Sequence, residues 1–189
     1  LGGWDHNAPN DATFAPAEMV VDYVRVWSAP FPLPSEPAPD VEITPIADAQ
    51  VRGGDYADEN QGTSPYLNAT IGSDINNTNF IWDSYLKFDL VGQGKIKKAV
   101  LALTNNLNAD EDTITAWETS DDWIETGSGS ITWNNAPMPG AVISSGLAKA
   151  DGDITYIDVT DYIRTQSSAT TPNADDKASI SLHRVKENH

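Results

Sequence analysis

The chain contains no cysteine. That excludes a disulfide framework, a thiolate zinc or iron–sulfur site and a cysteine nucleophile. It leaves export open, since larger exported domains often fold without bridges. Basic residues are scarce: 11 Lys and Arg stand against 28 Asp and Glu, a formal charge of −17. A polyphosphate partner needs a basic footprint, so nucleic acid is excluded, and a membrane surface is disfavoured for the same reason. Apolar runs are only a few residues long, far short of the roughly 20 needed to cross a bilayer. No basic segment followed by an apolar stretch opens the chain, which begins at Leu1; it is expected to be an internal piece of a longer protein. His6, His183 and His189 are scattered without metal spacing, and Ser144-Ser145 lacks the glycines of a nucleophile elbow, so zinc and triad chemistry are not expected.

What is present is a globular composition of 189 residues, interrupted by APFPLPSEPAPD from Ala29 to Asp40. Five prolines in nearly alternate positions cannot donate ladder hydrogen bonds and favour an extended, semi-rigid chain. Residues 29–40 therefore read as a linker between a short segment, 1–28, and a main domain, 41–189. The first segment has one regular feature, MVVDYVRVW from Met19 to Trp27, a β-branched and aromatic strand that cannot form a core alone. After the linker, candidate strands fall at Val41–Ile46, Ala47–Val51, Tyr66–Ile71, Ser84–Leu90, Lys97–Leu103, Thr113–Thr119, Ala141–Ser144, Ile154–Asp158 and Ser179–Val185. Glycine- and asparagine-rich turns separate them, and this pattern predicts an all-β, antiparallel, jelly-roll-like sandwich. One helical turn is expected at Thr160–Gln166, with the Thr160 hydroxyl as cap and Ile163 packed inward. In SYLKFDL, Leu86, Phe88 and Leu90 face one way while Tyr85, Lys87 and Asp89 face the other.

Two resemblances attach to these segments. Leu1-Gly2-Gly3-Trp4, the loop through Pro9 and Asp11, and above all Val21-Asp22-Tyr23-Val24-Arg25-Val26-Trp27 resemble the closing strand of a glycoside hydrolase family 16 domain of the laminarinase or agarase type. That family's Glu-x-Asp-x-(x)-Glu signature has no counterpart here; Asp110-Glu111-Asp112 and Glu118–Glu125 do not fit it. A retaining mechanism needs two carboxylates about 5–5.5 Å apart, so no catalysis carries over. Residues 41–189 resemble the DNRLRE-type domain close to carbohydrate-binding module family 96. The match runs through Ala47-Asp48-Ala49, Val51-Arg52-Gly53-Gly54, Tyr56-Ala57-Asp58, Asn60 and Gly62, then Tyr85-Leu86-Lys87-Phe88-Asp89-Leu90. It continues through Ile96, Lys98-Ala99, Leu101 and Leu103, then Trp123, Ile131-Thr132-Trp133-Asn134-Asn135-Ala136-Pro137, and Asp158-Val159-Thr160. The resemblance implies a β-sandwich appended to secreted polysaccharide-degrading enzymes, and it expects a further strand after Val185, so the sandwich is expected to lack its last strand or to carry a different one.

A sugar-binding module needs aromatic faces for pyranose rings and nearby polar groups for their hydroxyls. Tyr56, Tyr66, Trp82, Tyr85 and Trp117 are the aromatics available, while Trp123 and Trp133 are expected to pack. Tyr85 and Lys87 are expected to share one sheet surface with Arg52, giving Arg52, Tyr56, Trp82, Tyr85 and Lys87 as candidate carbohydrate ligands. Arg52, Lys87 and Arg184 suit an acidic glycan, or else pair with the chain's own acids. Asp48, Asp55, Asp58 and Asn60 surround the Gly53-Gly54 turn with the hard oxygens that calcium prefers; surface turn acids explain the same cluster. The expectation is a secreted, monomeric, non-catalytic carbohydrate-binding module. It would hold a family 16 enzyme on a polysaccharide, either a laminarin-like β-glucan or an agar-type galactan. The competing class is a structural or adhesive sandwich with no sugar ligand, and exposed aromatics on a sheet face discriminate the two. A third class, polysaccharide cleavage through Tyr and Arg, is weaker.

Overall fold

The structure is a computed structural model and describes residues 41–71, 81–106 and 113–184. The chain divides between Asp40 and Val41. The expected strand at Met19–Trp27 and the proline-rich linker lie outside the described residues, as does the chain beyond Arg184. Among the described residues no helix is long and apolar enough to cross a membrane.

Among the described residues, eight strands and one short helix make an all-β antiparallel sandwich. The strands are β1 (Ala47–Arg52), β2 (Thr70–Ile71), β3 (Ile81–Asp89), β4 (Val100–Thr104), β5 (Thr113–Thr119), β6 (Val142–Leu147), β7 (Ile154–Asp158) and β8 (Lys177–Arg184); α1 spans Thr160–Gln166. The larger sheet runs β1-β3-β8-β5-β6 with β2 added on β3, and the smaller sheet is β4-β7. Strands β5 and β7 and the helix fall where the alternation places them. Val41–Ile46 does not form a strand. Pro45 has no N–H to give a ladder, and pairing begins only where the Ile46 N–H donates to the Lys87 carbonyl at 2.7 Å. Tyr66–Ile71 contracts to β2, because the Asn68 N–H is taken by the Gln50 side chain at 3.0 Å.

The period-two faces explain the core. Leu86 of β3, Ile180 and Leu182 of β8, Ala116 of β5, Leu101 of β4 and Ile157 of β7 are buried together, with Tyr162 and Ile163 of α1 closing the end. Gly146 lets β6 pass against the second sheet: a side chain there would meet the Tyr156 carbonyl and Ile157 at 2.9 Å. The helix cap differs from expectation. The Thr160 hydroxyl caps no helical N–H; the Asp158 carboxylate accepts the Thr160 N–H at 2.9 Å, and hydrogen bonding to the Thr160 side chain and backbone holds the Asp158 carboxyl below its usual range. The Thr160 hydroxyl is drawn to Ala99 instead, accepting its N–H at 3.0 Å and donating to its carbonyl at 3.2 Å. Ile163 packs inward as expected.

Over β1 and β3 the outer face of the large sheet is also covered; towards β6 it stays open, with Val142 and Leu147 exposed. Trp123 and Ile131, from the connection between β5 and β6, bury Ala49, Val51 and Tyr85. The Trp123 indole meets Tyr85 edge to face with centroids 6.1 Å apart, and its N–H donates to the Ser179 hydroxyl at 3.3 Å. Beneath this cover β8 carries Ser179 and Ser181, both fully buried, whose small side chains leave room for the rings.

Trp123→Ala removes the largest group of this cover and is expected to cost about 3–5 kcal/mol, read as a lower Tm and a lower denaturant midpoint. Burial pushes the phenols of Tyr85 and Tyr162 above their ordinary value of 10.0. A folded-state pKa raised in this way contributes nothing to pH dependence below pH 10, where both states hold the proton. Above it the unfolded chain ionises first and stability falls. Circular dichroism against pH should show alkaline unfolding beginning above about pH 10, shallower in Tyr85→Phe and Tyr162→Phe.

Candidate functional site

Three of the expected carbohydrate ligands meet at one end of the large sheet. Arg52 ends β1, and antiparallel register places it opposite Trp82 of β3, so both side chains stand on one face. The chain then turns through Gly54, whose φ is +66°, into a short 3-10 turn at Gly54–Tyr56. That turn folds Tyr56 back over the guanidinium. The Arg52 guanidinium carbon lies 3.5 Å from the Tyr56 ring centroid and 4.7 Å from that of Trp82, a cation held between two aromatic faces. All three residues are half-buried. Beside them Gln50, almost fully buried, fastens the next loop: its amide donates to Gln61 and Ser64, both at 3.0 Å, and its oxygen accepts from the Asn68 side chain at 2.6 Å. Tyr66, on that loop, is exposed.

Tyr85 and Lys87 do not share this surface. Arg52 and Trp82 alternate onto the opposite side of β3 from them, because residues 82 and 85 differ by an odd number. Tyr85 is only 2% exposed, and its hydroxyl donates to the Pro137 carbonyl at 3.1 Å, leaving no ring face for a ligand. Lys87 donates to the carbonyls of Asp121 at 2.7 Å and Trp123 at 2.6 Å, with its ammonium 4.6 Å from the Trp123 centroid. Desolvation lowers its pKa, partly opposed by Asp121. Trp123 and Trp133 pack as expected.

Of the residues expected around calcium, Asn60 and Asp58 hold partners on the covering loop. Asn60 donates both amide hydrogens, to the carbonyls of Glu125 and Ile131 at 2.8 Å. Asp58 accepts from the Asn134 side chain at 2.7 Å, and the Asp48 N–H donates to the Glu125 carboxylate at 3.3 Å. These bonds stitch the 54–62 turn to the covering loop. Among the described residues no three His, Cys, Asp or Glu side chains form a metal-holding group.

Two further features have no counterpart in the sequence motifs. His183 Nδ1 lies 2.7 Å from the Asp83 carboxylate and Nε2 lies 3.0 Å from the Ser181 hydroxyl. This places Ser, His and Asp in line, although the sequence shows no such spacing. Ser181 is fully buried, so its hydroxyl meets no substrate and the line serves as a cross-strand tie. Tyr156 is the aromatic that the reading of the strand faces left unnamed. It is 62% exposed, on the solvent side of β7, while its neighbours Thr155 and Ile157 are fully buried. The alternation of Ile154, Tyr156 and Asp158 was the available signal. A cleft of about 250 Å³ also opens between the end of β5, α1 and Met138. Its one ring, Tyr162, is buried and engaged with the Ser179 carbonyl at 2.6 Å, so this cleft offers no stacking face.

The model of carbohydrate-binding module family 96 matches residues 39–188. The match covers most of the chain, which therefore belongs to that family. No curated protein matches the chain.

Asn60→Ala leaves the part-buried Ile131 carbonyl without this donor, a loss of about 1–3 kcal/mol. Thermal melting in the presence of chelator should show it, with the sandwich otherwise unchanged by circular dichroism.

Proposed function

We propose that this member of carbohydrate-binding module family 96 is the non-catalytic anchor of a secreted glycoside hydrolase of family 16. It would hold that enzyme on an algal-type polysaccharide, a laminarin-like β-glucan or an agar-type galactan. The observation that carries the carbohydrate reading is the family match over residues 39–188. The Tyr56–Arg52–Trp82 stack supports a place for the ligand, since it joins aromatic surface to a guanidinium with planar hydrogen-bonding geometry. The enzyme half of the proposal rests on the DYVRVW string at Asp22–Trp27, and the domain plan on the proline run at 29–40. An anchor of this kind works by effective concentration: a tethered enzyme samples substrate already within linker reach.

The test is affinity-gel retention of the 189-residue chain on laminarin, agarose, porphyran, carrageenan and alginate. One glycan should retard the chain, and Trp82→Ala and Tyr56→Ala should each weaken that retention by about tenfold, the size of a lost aromatic contact. A chain that melts cooperatively yet is retarded by none of them overturns the binding reading and leaves a structural spacer. Calcium enters through the same screen, run with calcium and with chelator. A Tm rise on calcium that Asp58→Asn abolishes is what a structural ion at Asp48, Asp55, Asp58 and Asn60 requires.

A further inference from the structure

Among the described residues, the outer face of the smaller sheet is exposed. Its cross-strand pairs are Val100 with Asp158, Ala102 with Tyr156, and Thr104 with Ile154. Directly paired residues share a face, and alternation puts these six on the side away from the core, because Leu101 and Ile157 are buried on the other. Tyr156 stands at the centre, 62% exposed, with Ile154 beside it at 40%. Its cross-strand neighbour is Ala102, which is too small to cover the ring. Alternate residues along a strand repeat roughly every 6.6–6.8 Å, so Thr104 and Asp158 stand one step to either side of the ring with their oxygens at the surface.

We infer that this face is a second glycan platform, on which Tyr156 stacks against a sugar ring and Asp158 and Thr104 bond flanking hydroxyls. The inference rests on the carbohydrate reading above and adds both a place and a ligand class. The ligand is a neutral polysaccharide. The site presents the ionised Asp158 carboxylate, fixed by the Thr160 N–H at 2.9 Å, with Asp151 and Asp153 exposed in the turn leading into β7. Such a surface accepts hydroxyl donors and repels carboxylated or sulfated chains, and the chain's net charge of −17 acts in the same direction. Arg52, the stacked cation, lies on the other sheet, so the two sites differ in sign as well as position.

The experiment measures binding of laminarin as the neutral probe and alginate as the anionic one. It uses the full chain and the variants Tyr156→Thr, Tyr156→Phe, Ala102→Arg and Trp82→Ala. Threonine keeps strand propensity at an exposed site, and melting curves confirm that each variant is folded. Tyr156→Thr should weaken laminarin binding by about tenfold while Tyr156→Phe keeps it, because the ring face carries the contact. Ala102→Arg, which leaves Tyr156 intact but covers its ring, should weaken laminarin binding as Tyr156→Thr does. Alginate binding should not respond to Tyr156→Thr. Unchanged laminarin binding in Tyr156→Thr, with binding lost in Trp82→Ala, overturns the platform and leaves the carbohydrate reading standing. Failure of the unmodified chain to bind either probe, or any glycan of the wider panel, overturns both. Loss in Tyr156→Thr with Trp82→Ala unaffected upholds the platform and removes Trp82 from the binding surface.

Discussion

The ammonium of Lys87 is the fastening on which the outer half of the domain depends. A six-stranded antiparallel sheet can leave one face to water, but here that face carries Ala49, Val51 and Tyr85, which are too apolar to be left wet. The connection between β5 and β6 is long and turn-rich, with glycines at Gly127 and Gly129 in positive φ, and nothing in its own composition would hold it flat. Lys87 supplies what it lacks. The lysine stands on the sheet, reaches up beside the Trp123 ring and takes the carbonyls of Asp121 and Trp123 at once. The Asp121 carbonyl also accepts the Trp123 N–H at 2.8 Å, so the lysine reinforces a turn that the backbone has already closed. The cost is a partly desolvated charge, visible in the lowered lysine pKa. The return is one contact that fixes the indole whose N–H then reaches Ser179 and whose ring closes over Tyr85.

The same fastening bears on the polar residues around Gly53-Gly54. Once the covering loop is seated, its second edge must be tied to the rest of the domain, and the 54–62 turn is what lies beside it. Gly62 has no room for a side chain, because a Cβ would fall 2.2 Å from the Glu125 carbonyl oxygen. The two segments therefore touch backbone to backbone, and Asn60 and Asp58 complete the contact. Polar residues at a glycine-rich turn read equally well as ion ligands or as loop ties when only composition is available. The choice between them depends on what lies across the gap, and that partner is about seventy residues away in the chain.

That distance also marks how far the sequence was legible. The strands β5 and β7 and the helix α1 could be read to the residue, because each combines strict alternation or a helical turn with a clear stop. Ile163 could be assigned to the core on the same grounds. Alternation along SYLKFDL separated Leu86 from Tyr85 correctly, yet it carries no information about what covers either side. The larger error followed from this: Tyr85 and Lys87 were expected beside Arg52 on an open surface, whereas strand register sets Arg52 opposite Trp82 and a distant loop buries Tyr85. Pairing register is a non-local property, so Arg52, Tyr56 and Trp82 could be nominated one by one but not placed together in advance. Tyr156 is the converse case, since the alternation of Ile154, Tyr156 and Asp158 marks its outward face from local sequence alone.

With the outer face of the large sheet covered over β1 and β3 and its inner face in the core, the described residues leave few places where a flat polymer can lie. Trp123 and Ile131 occupy the sheet surface over β1 and β3. Among the described residues, ring surface remains at the β1–β3 end, where Tyr56 and Trp82 enclose Arg52, at the half-buried Trp117 beside exposed Val142, near the exposed Tyr66, and on the two-stranded sheet around Tyr156. The first of these presents a cation and the last a carboxylate. In a chain with 28 acids and 11 bases, long-range potential opposes anionic polymers everywhere, and only a locally held guanidinium works against it. Specificity in such a protein is then a matter of local sign within a uniform field: the same distant charges that weaken an acidic glycan at Arg52 reinforce its exclusion at Asp158 and leave a neutral one untouched at both.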